Sequence, residues 1–227
     1  MNFKEINYKN IKITPEFARL HAHICADGYI YSGKSKRSQN ELIAHPRRNL
    51  IRNRFYVRYV NMEETLKNQF EEDIMSVFGR KSQWLKKLEI GVCGKWIYEI
   101  FFNLGALKSH SWFIPKKIRK SRRKVRAEWL KAFFDDESYV SKKQKRIVLN
   151  MVNKNGLDQV QLMLGDFGIK SRLKGPYNYK KYSSYHLTIY KESLLNYWKF
   201  IGFNHPKKKK ESDGILNGDA GTFVRRA

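Results

Sequence analysis

Between residues 54 and 60 the chain alternates. Phe55, Val57 and Tyr59 fall on one side of an extended backbone and Arg54, Tyr56 and Arg58 on the other, the period of two expected of a strand with one buried face. A few residues on, the period lengthens. Leu66, Phe70, Ile74, Val77 and Phe78 share one face of a helix, and Gly79 stands where that helix would close. Both signatures return later. Leu157, Val160, Leu164 and Phe167 predict a helix running to Gly168. Strands are predicted where Arg146 and Asn150 oppose Ile147 and Leu149, where Lys170, Arg172 and Lys174 oppose Ile169 and Leu173, and where His186, Thr188 and Tyr190 oppose Leu187 and Ile189. Two further helices are predicted where Trp96, Ile97, Ile100, Phe101 and Leu104 precede Gly105, and where Leu194, Trp198 and Ile201 precede Gly202.

These elements come in two copies. Leu-His-Ala-His-Ile-Cys-Ala-Asp-Gly, from Leu20 to Gly28, answers to Leu-Lys-Ala-Phe-Phe-Asp-Asp-Glu-Ser, from Leu130 to Ser138. Phe78–Ser82 answers to Phe167–Ser171, and Leu104 with Gly105 to Ile201 with Gly202, each of the latter followed by a basic stretch around Pro115 or Pro206. Such self-similarity marks repeated supersecondary units. Each copy reads helix, two strands, helix, two strands, helix. This predicts an α+β fold of two pseudo-symmetric αββαββα halves, each an antiparallel sheet backed by helices. The expected boundaries are 1–115 for the first repeat and 116–212 for the second, with a basic linker at 116–126. Residues 213–227 show no periodicity and are expected to form a poorly ordered tail. The varying separation of the landmarks places insertions near 33–53 in the first copy and near 174–184 in the second.

Charge turns this architecture toward a partner. The 227 residues carry 46 Lys and Arg against 21 Asp and Glu, a net charge of +25, which few globular proteins hold unless a polyanion shares it. Nucleic acid is the first candidate and an anionic membrane surface the rival. No apolar run is long enough to span a bilayer, and the segment Met1–Glu5 lacks a signal-peptide core, so a soluble, intracellular protein is expected. Cys25 and Cys93 are too few for a disulfide framework and read as free thiols. A polar sheet face is ordinarily just solvated. Here the polar faces are nearly devoid of carboxylates, which favours a DNA-reading surface. Its candidates are Arg54, Tyr56, Arg58, Arg146, Asn150, Lys170, Arg172, Lys174, His186, Thr188 and Tyr190. The first insertion adds Arg47, Arg48 and Arg52, with Glu41 as its single acid. The second, read as a loop, interleaves Lys174, Lys180 and Lys181 with Tyr177, Tyr179, Tyr182 and Tyr185. The linker packs Lys116, Lys117, Arg119, Lys120, Arg122, Arg123, Lys124 and Arg126 with no acid, and is expected to touch phosphates too.

Asp27 and Glu137 end equivalent amphipathic helices. The helix macrodipole disfavours an acid at that end, so its repetition asks for a reason. A divalent cation supplies one, because Mg²⁺ binds through one or two carboxylates together with phosphate oxygens and water. Ala22, Ala26 and Ala132 would let the two helices approach closely. His21 and Cys25 share a helix face, but no second pair with zinc-ligand spacing accompanies them, so packing is the better reading. His21 and His23 point apart and do not chelate together.

The two motifs and the order of elements after each resemble the paired motifs of LAGLIDADG homing endonucleases of the single-chain, two-motif type, over roughly residues 14–211. The resemblance implies that the motif helices join the halves at the floor of a DNA-binding saddle. It implies that Asp27 and Glu137 hold the metal, aided by the backbone carbonyls of Ala26 and Asp136. It further implies a supporting lysine, Lys108 in one half and Lys207 or Lys208 in the other, and water-positioning polar groups such as Asn61 and Asn150. The activity implied is metal-dependent, site-specific double-strand cleavage of DNA at a long asymmetric target by a monomer. Mg²⁺ or Mn²⁺ would be the cofactor and Ca²⁺ a non-cleaving substitute. An RNA maturase, with RNA as partner, and a catalytically inactive DNA-binding regulator are the alternatives on the same fold. This chain departs from the motif at Ala22 and Ala132 in place of Gly, at Cys25 in place of Asp, at Asp136 in place of a small residue, and at Ser138 in place of Gly. Ser138 is thereby expected to need a backbone conformation that Gly adopts more easily. Residues 213–227 carry neither the terminal nucleophile nor the His–Asn pair of a self-splicing intein, which predicts a free-standing enzyme.

Overall fold

A computed structural model describes residues 11–179 and 182–223. The reading of the first ten residues, Lys180 and Lys181, and the last four residues of the expected tail lie outside the described residues.

The first half runs α1 (Pro15–Cys25), β1 (Gly28–Lys36), α2 (Gln39–Ala44), β2 (Ile51–Val60), α3 (Glu64–Phe78), β3 (Gln83–Lys86), β4 (Glu89–Cys93) and α4 (Lys95–Asn103). The second runs α5 (Lys116–Arg119), α6 (Arg123–Glu137), β5 (Ser138–Ser141), β6 (Arg146–Met151), α7 (Lys154–Gly165), β7 (Ser171–Tyr179), β8 (Tyr182–Tyr190), α8 (Lys191–Phe200) and α9 (Pro206–Phe223). Each half builds one antiparallel four-stranded sheet, in the orders β1-β2-β4-β3 and β5-β6-β8-β7. The αββαββα expectation holds in both halves. The inward sets are buried as their periods predict: Val57 and Tyr59 on β2, and Ile147, Leu149, Leu187 and Ile189 on β6 and β8, are fully covered. The α3 helix closes at Gly79 in the left-handed conformation (φ 59°), which costs glycine no Cβ clash. The α7 helix ends at Gly165, short of Gly168, and a tight wrap continues as Ile169 N–H donates to Leu164 O (3.1 Å).

Both insertions are hairpin extensions. The register of β1 with β2 runs out to Lys36 opposite Ile51, with α2 at the tip. That of β7 with β8 runs, past an irregularity between Lys174 and Tyr177, to Tyr179 opposite Tyr182, so the described residues of the 174–184 segment are strand and not a loop. Over residues 213–223 the expected tail is likewise corrected. The α9 helix continues through Phe223, and Ser212 and Ile215 are buried. Part of the basic linker also folds back. Ile118 is buried, Arg123 stacks over the rings of Phe200 (4.2 Å) and Phe167 (5.0 Å), and Arg126 is ion-paired with Asp166.

The halves meet through α1 and α6. Thr14 caps α1, its Oγ accepting from Phe17 N–H (3.2 Å), and Pro15 occupies the first turn, where no N–H is needed. From Phe17 to Cys25 only Arg19 escapes full burial, as befits a helix wedged between two layers. Ala22 and Ala132 are both buried. Arg19 clamps the seam, its guanidinium bidentate to Asp73 (2.6 and 2.8 Å) and bonded to Glu128 (2.9 Å). His21 crosses it too. Trp129 Nε1–H donates to His21 Nδ1 (3.0 Å), so His21 carries its proton on Nε2 and donates to Leu104 O (2.8 Å). Burial holds His21 at a pKa of about 4, hence neutral. Cys25 packs 3.6 Å from its ring, a packing contact as expected.

Candidate active site and nucleic-acid face

Asp27 and Glu137 emerge at the C-terminal ends of α1 and α6, each followed at once by the first strand of its half. The two acids feel each other. Glu137 is raised to about 7, by burial first and then by the charges of Asp27 and Asp136. Asp27 stays accessible to solvent, yet the protein around its carboxyl displaces enough water to raise it to about 6, with Asp136 adding to the rise. Lys208, His23 and Asn61 oppose that rise, Asn61 by donating to Asp27 Oδ2 (3.0 Å).

The side chain of Asp136 faces inward and is fully covered. It accepts from His23 Nδ1–H (2.7 Å), Tyr59 Oη–H (2.6 Å) and Asn61 Nδ2–H (3.3 Å). Burial opposes protonation of His23, but the carboxylates of Asp136, Asp135 and Asp73 together raise its pKa. Asp135 accepts from the backbone N–H groups of Asn204 and His205 (3.0 Å each) and so anchors the start of α9 to the end of α6. One turn on, Lys208 Nζ donates to the carbonyls of Phe134, Asp135 and Asp136. A cation on the last carbonyls of a helix complements its dipole. Burial lowers the Lys208 pKa, against the pull of four carboxylates, Asp136, Asp135, Asp27 and Glu137.

Sequence reasoning missed His23, Tyr59 and Asp135. Of the two lysines it named near Pro206, the structure brings Lys208 to the acids and leaves Lys207 exposed. Lys108 is exposed and lines a cavity of about 640 Å³ that also touches Cys25 and Ala26. The halves differ here because Cys25 stands where the second half has Asp135. A thiol is a weak acceptor, so Cys25 cannot anchor the 105–111 backbone as Asp135 anchors residues 204–205. The strain expected at Ser138 is absent. Ser138 is extended (φ −96°, ψ 160°), and its hydroxyl donates to Phe134 O (2.6 Å). At Gly28 the demand for glycine is steric, since a Cβ would lie 2.6 Å from Ile24 Cα and 2.7 Å from Arg58 O.

Could these residues hold a divalent cation? The donors on offer are carboxylate and carbonyl oxygens, which suit Mg²⁺ or Mn²⁺ and not a soft metal. Among the described residues no group of three or more His, Cys, Asp and Glu forms a ready-made cage. The Ala26 carbonyl lies beside Asp27 at the end of α1, whereas the Asp136 carbonyl accepts from Lys208.

The sheets gather the remaining candidates on their open faces. In the second sheet, Asn150, His186 and Lys174 form one cross-strand row, Thr188 and Arg172 the next, and Arg146 and Tyr190 a third. Arg172 lies over the Tyr190 ring (5.7 Å) and Tyr177 against His186 (4.5 Å). Thr188 is buried beneath its neighbours, while Lys170 is exposed just ahead of β7. In the first sheet, Arg54 donates to Tyr56 Oη (2.7 Å), and Arg47 and Arg48 are exposed between α2 and β2. Arg52 is paired with Glu41 (2.6 Å) and Arg58 with Glu89 (2.5 Å). The open face therefore does contain a carboxylate, Glu89, which strand pairing brings across from β4.

Residues 124–202 match the family model described as a LAGLIDADG-like domain. Among solved structures, I-DmoI in complex with DNA and Mn superposes with a TM-score of 0.62 at 20% identity, covering 84% of this chain and 97% of that one. I-DmoI with DNA and Ca gives 0.62 at 18%, covering 90% and 98%. Full-length DUF199/WhiA from Thermatoga maritima gives 0.51 at 12%, covering 96% and 69%. Residues 124–202 thus carry a LAGLIDADG-like domain, and the chain as a whole has the two-domain pseudo-symmetric fold that I-DmoI shares. Two curated relatives come from Methanocaldococcus jannaschii. One, a probable translation initiation factor IF-2, is 30% identical over 112 residues, 48% of this chain. The other, a glutamine–fructose-6-phosphate aminotransferase, is 24% identical over 245 aligned residues, 99% of this chain. The chain spans only about a tenth and a fifth of their respective lengths. No helix among the described residues is long and apolar enough to cross a membrane.

Proposed function

We propose that the chain is a site-specific, divalent-metal-dependent DNA endonuclease that reads a long asymmetric duplex as a monomer. The observation that carries this reading is the meeting of Asp27 and Glu137, from equivalent helix ends, at the seam between two sheets with basic open faces. Solved complexes of a protein of the same fold with DNA and Mn or Ca support it. The two curated relatives bear unrelated names yet share a segment with this chain. That fits a self-contained module better than either named activity.

In this reading the Arg and Lys side chains of the open faces and hairpin tips hold the phosphate backbone, and the planar and aromatic groups among them meet base edges. Asp27, Glu137 and the carbonyl of Ala26 would hold the cation, with that of Asp136 once Lys208 releases it. When bound, the cation supplies activation of water and stabilisation of the leaving oxygen. Asn61 orients the Asp27 carboxylate. Lys208 supplies positive charge next to both acids, and Asp135 keeps it there. DNA binding without cutting is the competing reading, favoured by the hold of Lys208 on the Asp136 carbonyl. The test is selection of cleaved sites from a randomised duplex library with Mg²⁺, followed by assay of Asp27→Asn and Glu137→Gln. Loss of double-strand cutting with site binding retained supports the endonuclease. Full Mg²⁺-dependent cutting by either variant sinks the metal assignment. Binding without cutting by the wild type leaves only the competing reading.

A further inference from the structure

A basic side chain that meets a phosphate reads no sequence, because a phosphate carries no sequence information. Arg58 is held differently. Its Nη1 donates to Glu89 Oε1 (2.5 Å) and to Tyr29 Oη (3.2 Å), and Tyr29 in turn donates to the same Glu89 oxygen (2.7 Å). The guanidinium lies over the Tyr56 ring at 4.4 Å. Gly91, opposite Arg58 on β4, clears the bed for it, since a Cβ there would stand 2.9 Å from Arg58 Cγ. Beside this cluster lies a recess of about 430 Å³ whose lining includes Arg54, Tyr56, Arg58, Gln83 and Lys95. In the second half Arg172 rests near Tyr190, and among the described residues it has no carboxylate partner.

We infer that Glu89 is a specificity-determining residue, holding Arg58 as a preset base reader in the first half of the site. The inference rests on the DNA-reading function proposed above. A free arginine swings to the nearest phosphate and adds affinity for any sequence. Arg58 is tethered on one nitrogen and stacked on a ring, so it keeps its outer donors aimed at the groove without first losing rotamer freedom. The Glu89 carboxylate also repels phosphate from the place where Arg58 sits, so a poor sequence is not rescued by a backbone contact. Glu89 therefore lowers affinity for random DNA while it raises discrimination.

The test is binding selection in EDTA from a randomised duplex library with wild type, Glu89→Gln and Arg58→Lys, together with affinity for mixed-sequence DNA across a salt series. The wild type should prefer guanine at one position by roughly tenfold, the scale of one good arginine–guanine contact. Glu89→Gln should flatten that position alone, to within about twofold, as the tether weakens. It should also bind mixed-sequence DNA more tightly, with the salt slope steeper by about one phosphate's worth. Arg58→Lys should flatten the same position while keeping mixed-sequence affinity. An unchanged profile in Glu89→Gln overturns the inference, as does a uniform loss across all positions with a lowered melting temperature. A wild type that enriches no sequence overturns the DNA-reading function and this inference with it.

Discussion

Replacing Glu137 with Gln should stabilise the cation-free protein while abolishing the proposed DNA cutting. The carboxyl moves from an ordinary value of 4.5 to about 7, chiefly through burial and then through the charges of Asp27 and Asp136. Between those two values the folded chain holds a proton that the unfolded chain has released. Folded stability therefore falls as pH rises from about 4.5 to about 7 and levels off above. Each tenfold change in proton affinity is worth about 1.4 kcal/mol. The whole displacement, in which the opposing charge of Lys208 is already counted, sets a ceiling of about 3 kcal/mol, and entering water leaves an expected effect of about 1–3 kcal/mol. For a chain of this size that is roughly 3–10 °C in Tm. The amide introduced by Glu137→Gln bears no charge at any pH, so melts of the two proteins in EDTA should nearly coincide at the acid end and diverge at pH above 7, the variant melting higher. Added Mg²⁺ should raise the wild-type Tm more than the variant's, because only the wild type gains from neutralising both acids. A variant that melts below the wild type in the alkaline range would refute the reasoning. So would one that differs by the same amount at both ends.

Three further outcomes are expected. Arg19→Met strands the buried Asp73 carboxylate and should cost about 3–5 kcal/mol in urea unfolding, whereas a loss below about 1 kcal/mol would mean the clamp is dispensable. Affinity for the selected duplex should fall steeply with salt, by about 0.9 in log K per decade of salt for each phosphate neutralised; a slope worth fewer than about two contacts would mean that the net charge of +25 is not spent on DNA. Arg172→Ala should relax base preference in the half of the target opposite to the one affected at Arg58, and loosening of the same positions by both would contradict two separate reading faces.

Much of this molecule is legible in its sequence. The period of Val57 and Tyr59 against Arg54 and Arg58, the helix closing at Gly79, and the doubled motif ending in Asp27 and Glu137 are properties of near neighbours along the chain. They emerged in place, as did the α+β halves. The hairpin extensions were hidden because strands that meet water on both faces leave no apolar alternation. In the α9 helix too the polar residues mask the period, although Ile215 is buried. The surroundings of the acids were out of reach for a different reason. Asp136 reads only as an acid in place of the motif's small residue until the packing of α1 against α6 brings His23 to it across 113 residues. The phase of α9 decides that Lys208 and not Lys207 meets the acids. The pairing of β2 with β4 carries Glu89 to Arg58 across 31 residues. Periodicity is written locally, because each side chain's direction follows from the backbone repeat alone. The partner of a charge is set by strand register and helix contact, and those exist only once the chain has closed on itself.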